Sequence, residues 1–199
     1  MPARDEIREK AYVYLDEVSM DVDSINVAAF PLNELLDEAG AWVVRTCPIH
    51  CLGSGVEMPI AAFVAAEDGS GKLPLPHDFI RLLAFKMEGW NHKVTQPIRD
   101  TDEKYKQQFN RVLRGNDSKP VVVLCDGDKA LEYYSSSRGT DATIETARYF
   151  PYTVVNNNYP LSLYDVTAWK LAELVLAAST DVNGMQICQN KIQELYAAL

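Results

Sequence analysis

The stretch LYDVTAWKLAELVLAAS, Leu163 to Ser179, decides the fold class. Tyr164, Ala168, Leu171, Leu174, Val175 and Ala178 recur on one side of a 3.6-residue period, so the spacing predicts a helix. The next stretch, NGMQICQNKIQELYAAL from Asn183 to Leu199, places Cys188, Ile192, Leu195, Tyr196 and Leu199 in the same way. The connection between them is short, which predicts an antiparallel helix pair, and Asn183-Gly184 also fits the turn between them.

The N-terminal end reads alike. Residues 4–19 carry Ile7, Ala11, Leu15 and Val18 as one apolar stripe, with Asp5 and Glu6 in the first turn where they suit the helix dipole. A second helix is expected over 32–46, entered through Pro31 and ended by Pro48, with Leu35, Leu36, Ala39, Trp42 and Val43 on its buried side.

Between the helices the pattern changes to strands. Residues 60–66 and 72–75 read as a hairpin with a flexible Glu67-Asp68-Gly69-Ser70-Gly71 tip. Pro74 and Pro76 place its second strand at a sheet edge, since proline donates nothing to a ladder. Ile80 to Met87 is apolar on both faces and is expected to be central. A short helix over 102–111 follows. Val121–Leu124 and Ala130–Ser135 form a second hairpin across Asp126-Gly127-Asp128-Lys129, where Asp-Gly is the turn signal. Thr143 to Tyr149 is a further strand. The expected fold is α+β: a helical bundle of N- and C-terminal helices, with an antiparallel β-rich middle inserted over about 58–150, in one domain spanning 1–199.

Composition limits function. Of 199 residues, 47% are hydrophobic, enough for a core. No run approaches the roughly 18 apolar residues of a membrane span, and the charged N-terminus lacks the apolar core of a secretory signal. A cytosolic origin is expected, with the four cysteines reduced. Net charge is -9, and no Lys/Arg cluster of the kind that neutralises phosphates stands out, which argues against tight nucleic-acid binding. An acidic wall is still compatible with DNA sliding past it.

Candidate chemistry is sparse. Cys47, His50 and Cys51 form the most metal-like group, but they give three ligands at a spacing foreign to zinc fingers, and the fourth would have to be Cys125 or Cys188. Asp126 to Glu132 lacks the length and third ligand position of an EF-hand. The Gly53-Ser54-Gly55 and Gly69-Ser70-Gly71-Lys72 runs lack P-loop spacing and read as flexible connections. His50, His77 and His92 sit in no catalytic motif. No cofactor is called for.

A more informative stretch is Arg148-Tyr149-Phe150-Pro151-Tyr152, continuing through Val154 to Tyr159 and Pro160. It is too rich in Asn and Pro to look regular and too aromatic for an ordinary loop. Tyr and Arg are favoured at protein interfaces. Two readings stand side by side: an interface, or aromatic caps on the local core. The interface set is Asp68, Gly69, Ser70, Gly71, Arg148, Tyr149, Phe150, Tyr152, Asn157 and Tyr159.

Three segments carry a family resemblance: Leu36 to Arg45 (LDEAGAWVVR), Asp68 to Trp90 (DGSGKLPLPHDFIRLLAFKMEGW) and Ala147 to Tyr152 (ARYFPY). Together they are similar to neck proteins of tailed bacteriophages and prophages, with a flavour of phages of Bacteroides-like hosts, crAss-like phages included. The resemblance spans roughly Leu35 to Ala178. It implies a head–tail adaptor: a homo-oligomeric ring, commonly of twelve copies, docked on the portal protein and presenting a platform to other neck or tail proteins. Genomic DNA would pass through without specific binding, no membrane would be involved, and the protein would sit in the virion neck after assembly in the host cytoplasm. It implies no enzymatic activity. More strand content than the smallest adaptors leaves open which ring it forms. Two other classes remain: a metal-dependent hydrolase using Cys47, His50 and Cys51, and a host-directed phage binding module.

Overall fold

The computed structural model describes residues 2–18, 30–135, 137–151, 155, 156 and 158–199. In chain order the elements are helices α1 (Ala3–Val18) and α2 (Leu32–Thr46), strands β1 (Val56–Glu57), β2 (Val64–Ala65), β3 (Ser70–Pro74), β4 (Phe79–Met87) and β5 (Ile98–Arg99), helix α3 (Glu103–Gln107), strands β6 (Val121–Cys125), β7 (Ala130–Tyr134) and β8 (Ile144–Pro151), and helices α4 (Tyr164–Ala178) and α5 (Val182–Ala198). The fold is α+β, and the chain divides into two compact units. Residues 1–53 and 152–199 make a helical unit, and residues 54–151 make a β unit. The insertion expected over about 58–150 coincides with the second.

In the helical unit α4 packs against α1, α2 and α5. That explains why its buried residues run nearly all round, from Tyr164 and Val166 to Trp169, Glu173 and Leu176. The peripheral α1 buries one stripe only, Ala3, Ile7, Ala11 and Leu15. Polar clamps fix its register. Arg4 pairs with Asp37 at 2.6 Å, Lys10 pairs with Asp165 at 2.7 Å, and the Tyr14 ring stacks on Trp169 with centroids 4.1 Å apart. Gly40 in α2 lies under Val155 and Tyr159, so closely that a Cβ there would collide with the Val155 methyl. The α4–α5 turn uses Asp181, whose carboxylate accepts the Gly184 N–H at 3.0 Å and caps α5. The sequence reading starts α5 at Asn183, one residue late.

The β unit holds two sheets, β1-β8-β4 and β2-β3-β7-β6-β5, antiparallel except for the β5–β6 pair. They share one core. Leu82, Phe85, Met87 and Tyr149 from the first sheet meet Leu73, Val122, Leu131 and Tyr133 from the second, with Trp90 and Met58. Contrary to expectation, β4 ends its sheet, and among the described residues its far side is held only by a bridge from Phe85 to Val94. It looks central in the sequence because two bulges rotate it: Ile80 and Leu83 have no counterpart on β8. The bulge at Leu83 shifts the alternation, so Leu82 and Phe85 reach the same core despite odd spacing.

Both expected hairpins form, with differences in detail. The first is shorter than expected, with β2 opposite only Gly71 and Lys72, so Pro74 is locally on an edge as its missing N–H requires. In the second the left-handed residue is Lys129, φ 47°, rather than Gly127. The expected helix over 102–111 contracts to α3, capped by Asp102, whose carboxylate accepts the Lys104 N–H at 2.8 Å.

Candidate interaction surfaces

The 67–71 hairpin tip is not the loose loop its Gly/Ser content suggests. The Asp68 carboxylate accepts from the Ser70 N–H at 3.0 Å and the Ser70 hydroxyl at 2.6 Å, and it pairs with Arg114 at 3.2 Å. The Arg114 guanidinium also donates to the Asp68 carbonyl. The Ser70 bonds, ahead of Arg114, hold the Asp68 carboxyl below its ordinary range. The Gly69 carbonyl accepts the Ser135 N–H at 3.1 Å, and Gly71 lies against the Tyr133 ring.

Of the second expected interface segment, Arg148, Tyr149 and Phe150 belong to the regular strand β8, the middle strand of its sheet. Tyr149 and Phe150 are buried within the chain, at 6% and 8% exposure. Tyr149 stacks on Phe79 and donates its hydroxyl to Asp78 at 2.9 Å. Arg148 donates to the Gly55 carbonyl at 3.2 Å. Tyr159 is buried in the helical unit, stacks on Tyr164 and shares a 2.8 Å hydrogen bond with the Thr167 hydroxyl. The core-cap reading therefore replaces the interface reading for Tyr149, Phe150 and Tyr159, whose rings are used inside their own units. Tyr152 and Asn157 lie outside the described residues.

The Cys47, His50 and Cys51 group does not converge. Cys47 caps α2, is buried, and has its thiol 3.8 Å from the Val44 carbonyl. His50 Nε2 lies 2.9 Å from the main-chain oxygen of Leu199. Among the described residues no group of three or more His, Cys, Asp or Glu side chains is placed to hold a metal.

Three features escaped the sequence reading. On the outer face of the five-stranded sheet, Glu132 accepts from Tyr134 at 2.7 Å and Tyr105 at 3.2 Å, with Lys72 3.8 Å away. An open groove of about 220 Å³ lined by Val64, Ser70, Lys72, Glu132 and Tyr134 lies on this face. The strand period implied these neighbours, but only the pairing of β3 with β7 brings Lys72 opposite Glu132. In the helical unit, Lys170 sits 4.4 Å over the Trp42 ring and 2.7 Å from Glu173, which also accepts from Gln189 at 2.9 Å. This polar knot ties α2, α4 and α5 together.

The third is a hydrogen-bonded knuckle that continues α3. The Lys104 carbonyl accepts from the Gln108 side chain at 2.9 Å, which in turn accepts the Gly115 N–H at 3.0 Å. The Asn110 side chain accepts the Val112 N–H at 2.9 Å. Phe109, Val112 and Leu113 are 68%, 89% and 61% exposed on this braced backbone.

No protein-family model matches the chain, and no curated protein is significantly similar to it in sequence. No helix among the described residues is long and apolar enough to cross a membrane.

Proposed function

We propose that the chain is a structural subunit of a tailed-phage neck, a head–tail adaptor that assembles into a ring on the portal protein and carries the next neck or tail component around the DNA channel. The observation that carries this reading is where large apolar side chains remain at the surface. Phe109, Val112 and Leu113 in the turns after α3 and Val64 in β2 of the β unit, and Tyr12, Val13 and Val182 in the helices of the helical unit, stay exposed. Such surfaces are suited to protein contact. The division into a terminal-helix bundle and an inserted β unit is in keeping with the resemblance over 35–178.

The hydrolase alternative would need Cys47, His50 and Cys51 in one site, and no group of three or more His, Cys, Asp or Glu side chains is placed to hold a metal among the described residues.

Electron microscopy of the purified chain, alone and mixed with its portal, tests the proposal. Rings in either sample are the expected result. A strictly monomeric chain in both would refute it.

A further inference from the structure

The charge of this chain is unevenly divided. By sequence the helical unit holds 14 Asp and Glu against 6 Lys and Arg, whereas the β unit holds 14 against 13. The cations of the β unit are locally concentrated. From Lys104 to Asn116 the sequence has Lys104, Lys106, Arg111 and Arg114 and no acidic residue, while Asp100, Asp102, Glu103 and Asp117 border the run, the Asp102 carboxylate being taken up in the α3 cap. Arg114 is engaged by Asp68, but Lys104, Lys106 and Arg111 make no ion pair among the described residues. Interleaved with them are the exposed Phe109, Val112 and Leu113. Phe109 leans on Tyr105 and Tyr134, centroids 5.1 and 6.1 Å away, so the knuckle is preorganised.

A matching surface exists on α1. Opposite its buried stripe, Glu9, Tyr12, Val13, Asp16 and Glu17 fall at i, i+3, i+4, i+7 and i+8, one outward face. All five are exposed; Tyr12 and Val13 form an apolar centre, and the three carboxylates flank it without an ion pair among the described residues. Each surface has an apolar centre and unpaired charges, and the signs are opposite. Complementarity of this kind selects a partner and fixes its register.

We infer that the basic, apolar knuckle over 104–114 docks on the acidic Tyr12/Val13 face of α1 in a second copy of this chain. The contact is heterologous, because two different surfaces meet, so repeating it produces a ring or an open filament rather than a closed dimer. The inference rests on the self-assembly part of the proposed function and names the surfaces that would carry it. Ion pairs at the rim make the contact sensitive to salt.

The test is sedimentation of the full chain at low and high salt, beside three variants: Val112→Ser with Leu113→Ser, Arg111→Glu with Lys106→Glu, and Asp16→Lys with Glu17→Lys. All these positions are exposed, and circular dichroism checks that the variants remain folded. The expected result is that the wild type associates at low salt, each variant associates at least about tenfold more weakly, and mixing the two charge-reversed variants restores association. A wild type that assembles while all three variants assemble equally well overturns this inference and leaves the adaptor proposal standing. A wild type that is monomeric at low salt overturns this inference, and one that is also monomeric with its portal overturns the adaptor proposal as well. Salt-sensitive binding to phosphatidylserine vesicles, lost in the Val112/Leu113 variant while self-association persists, would assign the knuckle to a lipid surface and overturn the inference.

Discussion

Replacing Tyr133 with Phe should make the protein more stable, although the ring is among the most buried in the β unit at 1% exposure. The ring contributes to the shared core, stacking on Phe63 and packing against Phe85 and Trp90. Its hydroxyl, however, is buried with no hydrogen-bond partner among the described residues. A buried hydroxyl without a partner costs about 1–3 kcal/mol. Removing the oxygen forfeits a few contacts at about 0.1–0.2 kcal/mol each. The ring stays, so no large cavity opens. The net gain is about 1 kcal/mol, equivalent to a rise of about 3 °C in Tm. Urea unfolding followed by far-ultraviolet circular dichroism measures it as a higher midpoint with an unchanged slope. A loss of about 1 kcal/mol or more would show that the hydroxyl is bonded in solution and that the packing described around Gly71 and Tyr133 is wrong.

Other expectations follow from the same contacts. Lys170→Met, which keeps the length but leaves the Glu173 carboxylate without its cation, should cost about 3 kcal/mol, because breaking a pair whose side chains are 12% and 9% exposed strands a charge; an effect below about 0.5 kcal/mol in thermal unfolding would contradict the described knot. At alkaline pH the folded state should weaken. Burial holds the Tyr14, Tyr133 and Tyr149 phenols at about 12 against an ordinary 10.0, and the Cys125 and Cys188 thiols at about 12 against 9.0. These acids keep their protons longer when folded, so their contribution is intact below about pH 9 and is lost progressively toward pH 12; stability independent of pH from 9 to 11 would refute the assignment. In the native protein a thiol reagent should modify Cys51 first, since Cys47, Cys125 and Cys188 are buried; peptide mapping after brief labelling reads this, and equal labelling of all four would contradict it.

The peripheral helices were legible because they bury a stripe that the 3.6-residue period records, as Ile7, Ala11 and Leu15 do in α1. The 121–134 hairpin was legible because both strands are apolar and adjacent in sequence. What was not legible depends on distant partners. The end position of β4 follows from pairing with β8, some sixty residues on, and its bulges at Ile80 and Leu83 spread apolar residues over both faces of the sequence pattern. Strand β8 was legible as far as Tyr149, but its continuation through Phe150 and its place in the middle of a sheet were masked by the prolines and asparagines that follow. The stiffness of the Asp68 tip depends on Arg114, 46 residues away. The knuckle was hidden for another reason: Phe109, Val112 and Leu113 look like core residues in a sequence, and only their exposure shows that they face outward.

The central claim is that this chain is built to be held by other proteins in a particle. If the chain is the phage neck subunit proposed above, quantitative mass spectrometry of purified virions addresses it most directly. The account predicts peptides of the chain in the particles at a fixed ratio to the portal protein. Their absence from virions, with abundant chain in the infected cell, would contradict it.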